Sequence, residues 1–193
     1  MLAAENSMFG SSIASYRRST EPSYVKSLFH GAYRRCVLDD VGLFNVDLGR
    51  TEDNEFHYRI RKAGYKICYS PKIYSYQYVR NTLFKMLKQK FANGYWIGKT
   101  FWICPKCLEK YHFVPMIFVI GILLTCVMAW YEIPQIAVFM WILYIVLAIT
   151  MTALAIYRNR SNYFLFFLPF IFLLLHLSYG FGTIKGMWFK NDC

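Results

Sequence analysis

From residue 113 onward the chain falls into three stretches without a charged residue, 113–131, 133–157 and 161–184, in which Leu, Ile, Phe and Val occupy every side of a helix. A helix that is apolar all round is buried in protein or in lipid, and about 20 such residues cross a bilayer core of about 30 Å. Each stretch is long enough. The pattern predicts three transmembrane helices, at about 113–131, 134–157 and 162–183, in a membrane region 113–184 closed by a tail, 185–193. Three consecutive core helices are the alternative, but none offers a polar side to meet water.

Ahead of this region the periodicity changes. Residues 25–33 alternate enough to predict a strand leading into Arg34 and Arg35, and 36–41 a short helix closed by Gly42. Residues 43–49 read as a loop. Thr51 is placed to cap a helix whose first turn holds Glu52 and Asp53, where the helix dipole favours negative charge. Along that helix Glu55 and Arg59 stand at i,i+4, as do Asp53 and His57, and Phe56, Ile60 and Ala63 share an inner face. Gly64 ends it, and 65–69 is rich in strand formers up to Pro71. Residues 79–101 then place Leu83, Phe84, Leu87 and Phe91 on one side, with Arg80, Lys85, Lys88 and Lys90 mostly elsewhere. Such a basic amphipathic helix lies at lipid headgroups, making 79–112 an interfacial region, and the same pattern fits a helix packed on the soluble part.

Charge sharpens the division. The 193 residues carry a formal net charge of +11. Residues 1–112 hold 18 Lys and Arg against 9 Asp and Glu, whereas 113–193 hold 4 against 2. The basic first part and the paired arginines of Arg158-Asn159-Arg160 predict a cytoplasmic soluble part, and the first connection, Tyr131-Glu132-Ile133-Pro134, has an acid and no base, as an outer loop would. Lys185 and Lys190 then fall outside if all three helices cross. A re-entrant third segment would return them to the cytoplasm. Residues 1–12 lack the basic and apolar regions of a signal peptide, so insertion rests on the later segments. The localisation expected is the cell membrane, multi-pass.

Six cysteines do not form a disulfide framework here. Cys36, Cys68, Cys104 and Cys107 fall on the expected cytoplasmic side, Cys126 within a span and Cys193 in the tail. Cys104-Pro105-Lys106-Cys107 has half the spacing of a zinc site, with His112 a distant third ligand; a reduced pair at the membrane surface is the favoured reading.

Four segments in order carry a resemblance: Gly31-Ala32-Tyr33-Arg34-Arg35, Val41-Gly42-Leu43-Phe44, Glu52-Asp53-Asn54-Glu55, and Tyr58-Arg59-Ile60-Arg61-Lys62-Ala63-Gly64-Tyr65-Lys66-Ile67. Together they resemble the acceptor-side half of a family 2 glycosyltransferase of the GT-A fold. The likeness continues through Lys88-Gln89-Lys90-Phe91-Ala92-Asn93-Gly94-Tyr95-Trp96, His112-Phe113-Val114-Pro115 and His176-Leu177-Ser178-Tyr179-Gly180-Phe181-Gly182. These are similar to membrane-bound exopolysaccharide transferases of the succinoglycan β-glucosyltransferase type. The fold class this implies is a partial α/β GT-A half over 1–78, followed by an all-α membrane region.

The resemblance also implies roles. An aspartate of the acidic motif deprotonates the acceptor hydroxyl as it attacks the anomeric carbon of a nucleotide sugar; the matching residue is Asp53, with Glu52 the second candidate. A helix N-terminus makes a carboxylate a weak base unless burial offsets it. Glu55 is expected to orient Arg59 or a backbone group, or to line the substrate site. Arg34 and Arg35 fit either a diphosphate or the neighbouring Asp39 and Asp40. His30 lines the acceptor pocket or is an ordinary half-buried histidine. Processive members carry Gln-x-x-Arg-Trp. Here Gln89 is followed by Lys90, Phe91, Ala92 and Asn93, which points to a non-processive variant in which Gln89 and Trp96 line the acceptor site.

A complete enzyme of this kind also has an N-terminal nucleotide-binding half whose Asp-x-Asp-type motif holds Mg²⁺ or Mn²⁺. Residues 1–9 contain only Glu5 as an acid, and the other acids belong to the acceptor half. The expectation is therefore the C-terminal part of an exopolysaccharide or capsule glycosyltransferase, inactive alone and binding no metal by itself. Its partners would be a nucleotide sugar, a polyprenyl-diphosphate-linked acceptor, membrane lipids and a separate donor-half polypeptide, with no nucleic acid. The competing reading is a non-catalytic membrane interaction protein or relic. A transporter fits poorly, since His176 is the one ionisable group in the spans.

Overall fold

The computed structural model describes Ala4, Ser7, Phe9, residues 19–73, Tyr78, residues 80–131, 133–158 and 166–188. Strand β1 (Ser23–Val25) pairs antiparallel with β2 (Ile67–Tyr69), with Ser23 opposite Tyr69 and Val25 opposite Ile67. Between them lie α1 (Arg35–Val41) and α2 (Glu52–Lys62). They are followed by α3 (Leu83–Ile103), 3₁₀ turns at Pro105–Cys107 and Lys110–Phe113, α4 (Val114–Trp130), α5 (Pro134–Arg158) and α6 (Leu168–Trp188). The described residues are mostly helical, with one two-stranded sheet.

Local rules account for the helix ends. Gly42 takes φ +80° and its N–H bonds the Leu38 carbonyl at 2.9 Å, closing α1. Gly64 at φ +91° closes α2, its N–H on Arg61 at 3.1 Å and the N–H of Tyr65 on Ile60 at 3.2 Å. This paired arrangement is the Schellman motif, whose left-handed position glycine suits. Because the chain turns there, Ala63 is exposed instead of joining the inner face. The soluble core is Phe56, Ile60 and Ile67, ringed by Val25, Leu28, Tyr33, Val37, Leu38 and Val41. Phe56 is fully buried. Phe56→Ala should cost about 3–5 kcal/mol, read as a lower unfolding midpoint of the soluble part.

The expected strand over 25–33 stops at Val25. Ser27 and Tyr33 turn inward to His57, and His30 adopts φ +57°, a left-handed conformation that no strand contains. The strand expected over 65–69 starts only at Ile67, since the Tyr65 N–H is spent on the α2 cap.

Among the described residues three helices are long and apolar enough to cross a membrane, spanning Lys110–Trp130, Pro134–Tyr157 and Leu168–Trp188. Their outward side chains, among them Ile117, Leu124, Val138 and Phe139, are exposed as lipid-facing residues are. The third is the hub, burying Leu168, Phe172, Leu175, Gly180 and Thr183. The helix anticipated from the 79–101 pattern is α3, and it lies along α6. Both run in one direction: Ser178 donates to the Leu87 carbonyl at 2.8 Å, and Trp102 Nε1 donates to the Met187 carbonyl at 3.0 Å, near the far end. Gly94 on α3 and Gly182 and Gly186 on α6 let the backbones touch. A Cβ on any of them would collide with the carbonyl oxygen of Tyr179, Phe91 or Tyr95 respectively. Gly180 makes the same allowance for Pro115 of α4.

His176 bonds the Tyr144 hydroxyl on α5 at 3.1 Å, so it serves helix packing, and its Nε2 lies 2.9 Å from the Phe9 carbonyl. The Phe9 ring packs edge-on against Phe172 and His176, an insertion among the helices that residue periodicity did not announce. Glu132 and Arg160, whose charges bear on the orientation, lie outside the described residues, as do Asn159, Ser161, Val79 and the tail from 189 with Lys190 and Cys193.

Candidate functional site

The first turn of α2 presents three acids. Glu55 is buried and holds Arg59 by two bonds, Nε to Oε1 at 2.8 Å and Nη2 to Oε2 at 2.9 Å. The other guanidinium bonds reach the Val41 carbonyl and, at 2.6 Å, the Leu43 carbonyl. Glu55 therefore orients an arginine that straps the loop after α1 onto α2, as the i,i+4 spacing suggested. Planar forks of this type are strong and directional.

Asp53 is part-buried, and its Oδ1 accepts the Asn54 N–H at 2.8 Å. Burial raises its pKa above the ordinary aspartate value and the adjacent Glu52 carboxylate raises it further, against a lowering by backbone N–H bonds from Asn54 and its own amide. Desolvation thus outweighs the helix start. Glu52 Oε2 is buried and has no hydrogen-bond partner among the described residues. Such an atom normally has one.

Behind the acids runs a chain of polar groups. Tyr33 Oη is 2.6 Å from His57 Nε2, Ser27 Oγ is 2.8 Å from His57 Nδ1, and Ser27 donates to Asn54 Oδ1 at 3.2 Å. Since the one Ser27 proton goes to Asn54, Nδ1 donates to Ser27 and Nε2 accepts from Tyr33. The neutral imidazole supplies one donor and one acceptor, which closes the count. Burial, with Arg61 as a second cause, pushes the His57 pKa down to about 4, consistent with that neutral ring. Burial and then the Asp53 charge raise the Tyr33 pKa, which places the phenol in the field of the candidate base.

A pH dependence follows. Unfolded histidine titrates near 6.5 and folded His57 near 4, so between these values the unfolded state binds the extra proton. Stability should therefore fall by about 2 to 3 kcal/mol as pH drops from 6.5 to 4, from the pKa difference alone. Denaturant unfolding of wild type and His57→Gln against pH tests this; the variant should lose most of the slope in that window.

The remaining candidates are spread out. Thr51 stands at the α2 N-cap but makes no capping bond; its hydroxyl pairs instead with that of Thr100 on α3. Trp96, one turn earlier on α3, lies against Gly49, where a Cβ would sit 2.5 Å from Cζ2. Arg50 adds a 2.7 Å bond to Asn93, and Lys26 a 2.6 Å ion pair to Glu109, so the acid-bearing unit is seated on α3 and the turn after it. Gln89 accepts from Arg80 at 3.2 Å. Arg35 pairs with Asp39 at 3.0 Å on the surface. Arg34 is the exposed N-cap of α1, and His30 is exposed and stacked on Phe29 at 3.8 Å. Among the described residues no hydrogen bond or ion pair joins Arg34, Arg35, His30 or Gln89 to the three acids. Asp53 and His57, paired by spacing, are not bonded, because His57 is occupied by Ser27 and Tyr33.

His57, Ser27 and the Tyr33 hydroxyl were missed as a set. The available signal was a histidine next to the core residue Phe56, with two hydroxyl residues upstream.

No group of three His, Cys, Asp or Glu side chains among the described residues stands close enough to hold a metal ion.

No protein-family model matches the chain, and no solved structure matches it. Among curated proteins it is similar to the dolichyl N-acetyl-alpha-D-glucosaminyl phosphate 3-beta-D-2,3-diacetamido-2,3-dideoxy-beta-D-glucuronosyltransferase of Methanococcus voltae. The two are 25% identical over 182 residues, 90% of this chain and 52% of that protein. The chain spans about half the length of the curated relative it matches.

Proposed function

We propose that the chain is the acceptor-side and membrane part of a glycosyltransferase that moves a sugar from a nucleotide-sugar donor to a lipid-linked saccharide. The observation that carries this reading is the likeness, along 90% of the chain, to an enzyme named for sugar transfer to a dolichyl-linked acceptor. Three helices able to cross a membrane suit a lipid-linked acceptor, whose tail stays in the bilayer.

In this reading Asp53 is the general base. It removes the acceptor hydroxyl proton as the oxygen attacks the anomeric carbon, and its raised pKa makes it a better base than an exposed first-turn aspartate. Glu52 holds that pKa up. Glu55, through Arg59, keeps the loop after α1 in place, and the Ser27–His57–Tyr33 chain fixes the wall beside Asp53. Arg34, exposed at the start of α1, is the arginine available to a diphosphate. Trp96 and Gln89 line the acceptor side on α3.

The finer reading is a family 2, GT-A acceptor half over 1–78 and a cytoplasmic orientation at the cell membrane, serving exopolysaccharide or capsule synthesis; α3 shares the course of α6 and so does not lie in the headgroup plane as an interfacial 79–112 would, if α6 crosses. The nucleotide-binding half, with any Mg²⁺ or Mn²⁺, is contributed by residues other than those described, in the same or a separate polypeptide.

The test is the pH profile of transfer, kcat/KM, in membranes that carry the chain with its nucleotide-binding half. The acid limb should report an apparent pKa above the ordinary aspartate value of about 3.9. A limb at or below that value would remove Asp53 from the role of base. The second reading, a non-catalytic membrane interaction protein, predicts a phenotype unmoved by Asp53→Asn but lost when α3 is disrupted.

A further inference from the structure

The turn Cys104-Pro105-Lys106-Cys107 joins α3 to the start of the membrane helices and packs against α2. It has no part in the chemistry proposed above. Cys104 is the C-cap of α3, its N–H bonded to the Thr100 carbonyl at 2.8 Å, and Thr100 is the residue whose hydroxyl meets Thr51 at the start of α2. The Cys107 N–H bonds back to the Cys104 carbonyl at 3.1 Å. A hydrogen-bonded turn of this kind keeps its end Cα atoms within about 7 Å, and a disulfide spans about 4.4–6.8 Å. That turn holds the two residues at the ends of one hydrogen-bonded loop, and both thiols are free.

The two cysteines are not equivalent. Cys104 is partly exposed, while Cys107 is buried against α2, close enough to feel the Glu55 charge. Burial, with Cys104 and Glu55 adding to it, pushes the Cys107 thiol up, so it is a poor first nucleophile. An accessible N-terminal cysteine followed three residues later by a buried one is the arrangement in which the first thiol exchanges and the second resolves.

We infer that Cys104 and Cys107 are a modification site: a dithiol that closes to an intramolecular disulfide by exchange with a small disulfide such as oxidised glutathione. The Cys104 thiolate attacks one glutathione sulfur and expels a glutathione thiolate, leaving a mixed disulfide. Cys107 then loses its proton to solvent, attacks the Cys104 sulfur and expels the second thiolate. Two protein thiols lose two electrons and two protons, and oxidised glutathione becomes two reduced glutathiones. The bridge forms at the junction of α3 and α2, so its state is felt where the acid-bearing helix is seated.

The full chain in detergent, equilibrated across ratios of oxidised to reduced glutathione and then labelled with maleimide, tests this by intact mass and peptide mapping. Cys104 and Cys107 should lose label together, with a mass loss of two hydrogens that dithiothreitol reverses. Cys107→Ser should instead accumulate one glutathione on Cys104. If both thiols remain labelled at the most oxidising ratio, or the bridge maps to another cysteine, the inference is overturned. Mapping on the wild-type chain decides the matter even if Cys107→Ser does not fold.

Discussion

Asp53→Asn should lower kcat for sugar transfer by about 10²–10⁴-fold, the range a general base contributes, with a much smaller change in KM for the acceptor. The reason is specific to the acceptor hydroxyl, a weak nucleophile whose proton has to leave as the new bond forms. Asparagine keeps the shape of Asp53 and can still meet the Asn54 N–H through its oxygen, but it takes no proton. The variant should also insert and fold normally. The folded protein holds the Asp53 pKa above its ordinary value, so at neutral pH its charge opposes folding; an uncharged replacement should leave the unfolding midpoint unchanged or raise it. Loss of turnover together with retained or improved stability separates a catalytic role from a structural one. Glu55→Gln should behave differently, because it weakens the Arg59 strap and costs stability as well as rate.

Gly94→Leu and Gly182→Leu should be the most damaging changes to the membrane part. At both positions the first side-chain carbon would meet backbone of the opposite helix, so no rotamer relieves it and α3 must part from α6. Overpacking typically costs about 1–3 kcal/mol, and a clash with backbone along a continuous helix pair belongs at or above the top of that range. Because the acid-bearing unit rests on α3 through Thr51–Thr100 and Arg50–Asn93, separation of α3 should also loosen α2. Gly121→Ala on α4 is the control. Its Cβ would sit 3.5 Å from Met140 Sδ, ordinary contact, and the variant should unfold with the wild type in a detergent thermal melt. Protease sensitivity near Arg80 should rise in the first two variants and not in the third.

What could be foreseen followed the range of the interaction. Gly42 and Gly64, the Glu55–Arg59 pair and the three apolar helices follow from rules acting within a few residues, and the third helix alone is displaced, running Leu168–Trp188 into the expected tail instead of ending at about 183. Partners distant in sequence were hidden. His57 looks like an i,i+4 companion of Asp53, yet Ser27 and Tyr33, 30 and 24 residues away, offer it better-buried bonds. Thr51 looks like a cap, yet its hydroxyl is drawn to Thr100, 49 residues on. The basic pattern of α3 shows its charged side, while the glycines that join it to α6 read as ordinary small residues until two backbones are seen in contact. For the site, the clustering of acids on one helix turn was legible and the environment that makes Asp53 a stronger base was not, because it depends on burial by the rest of the unit.

The most direct measurement is the fate of a labelled sugar. Membranes carrying the chain together with the nucleotide-binding half proposed for it are incubated with radiolabelled nucleotide sugars and a polyprenyl-linked saccharide, then extracted into organic solvent. The account predicts label in the lipid-linked saccharide with wild-type chain and loss of nearly all of it with Asp53→Asn at equal membrane content. Equal lipid labelling by the two proteins would contradict it.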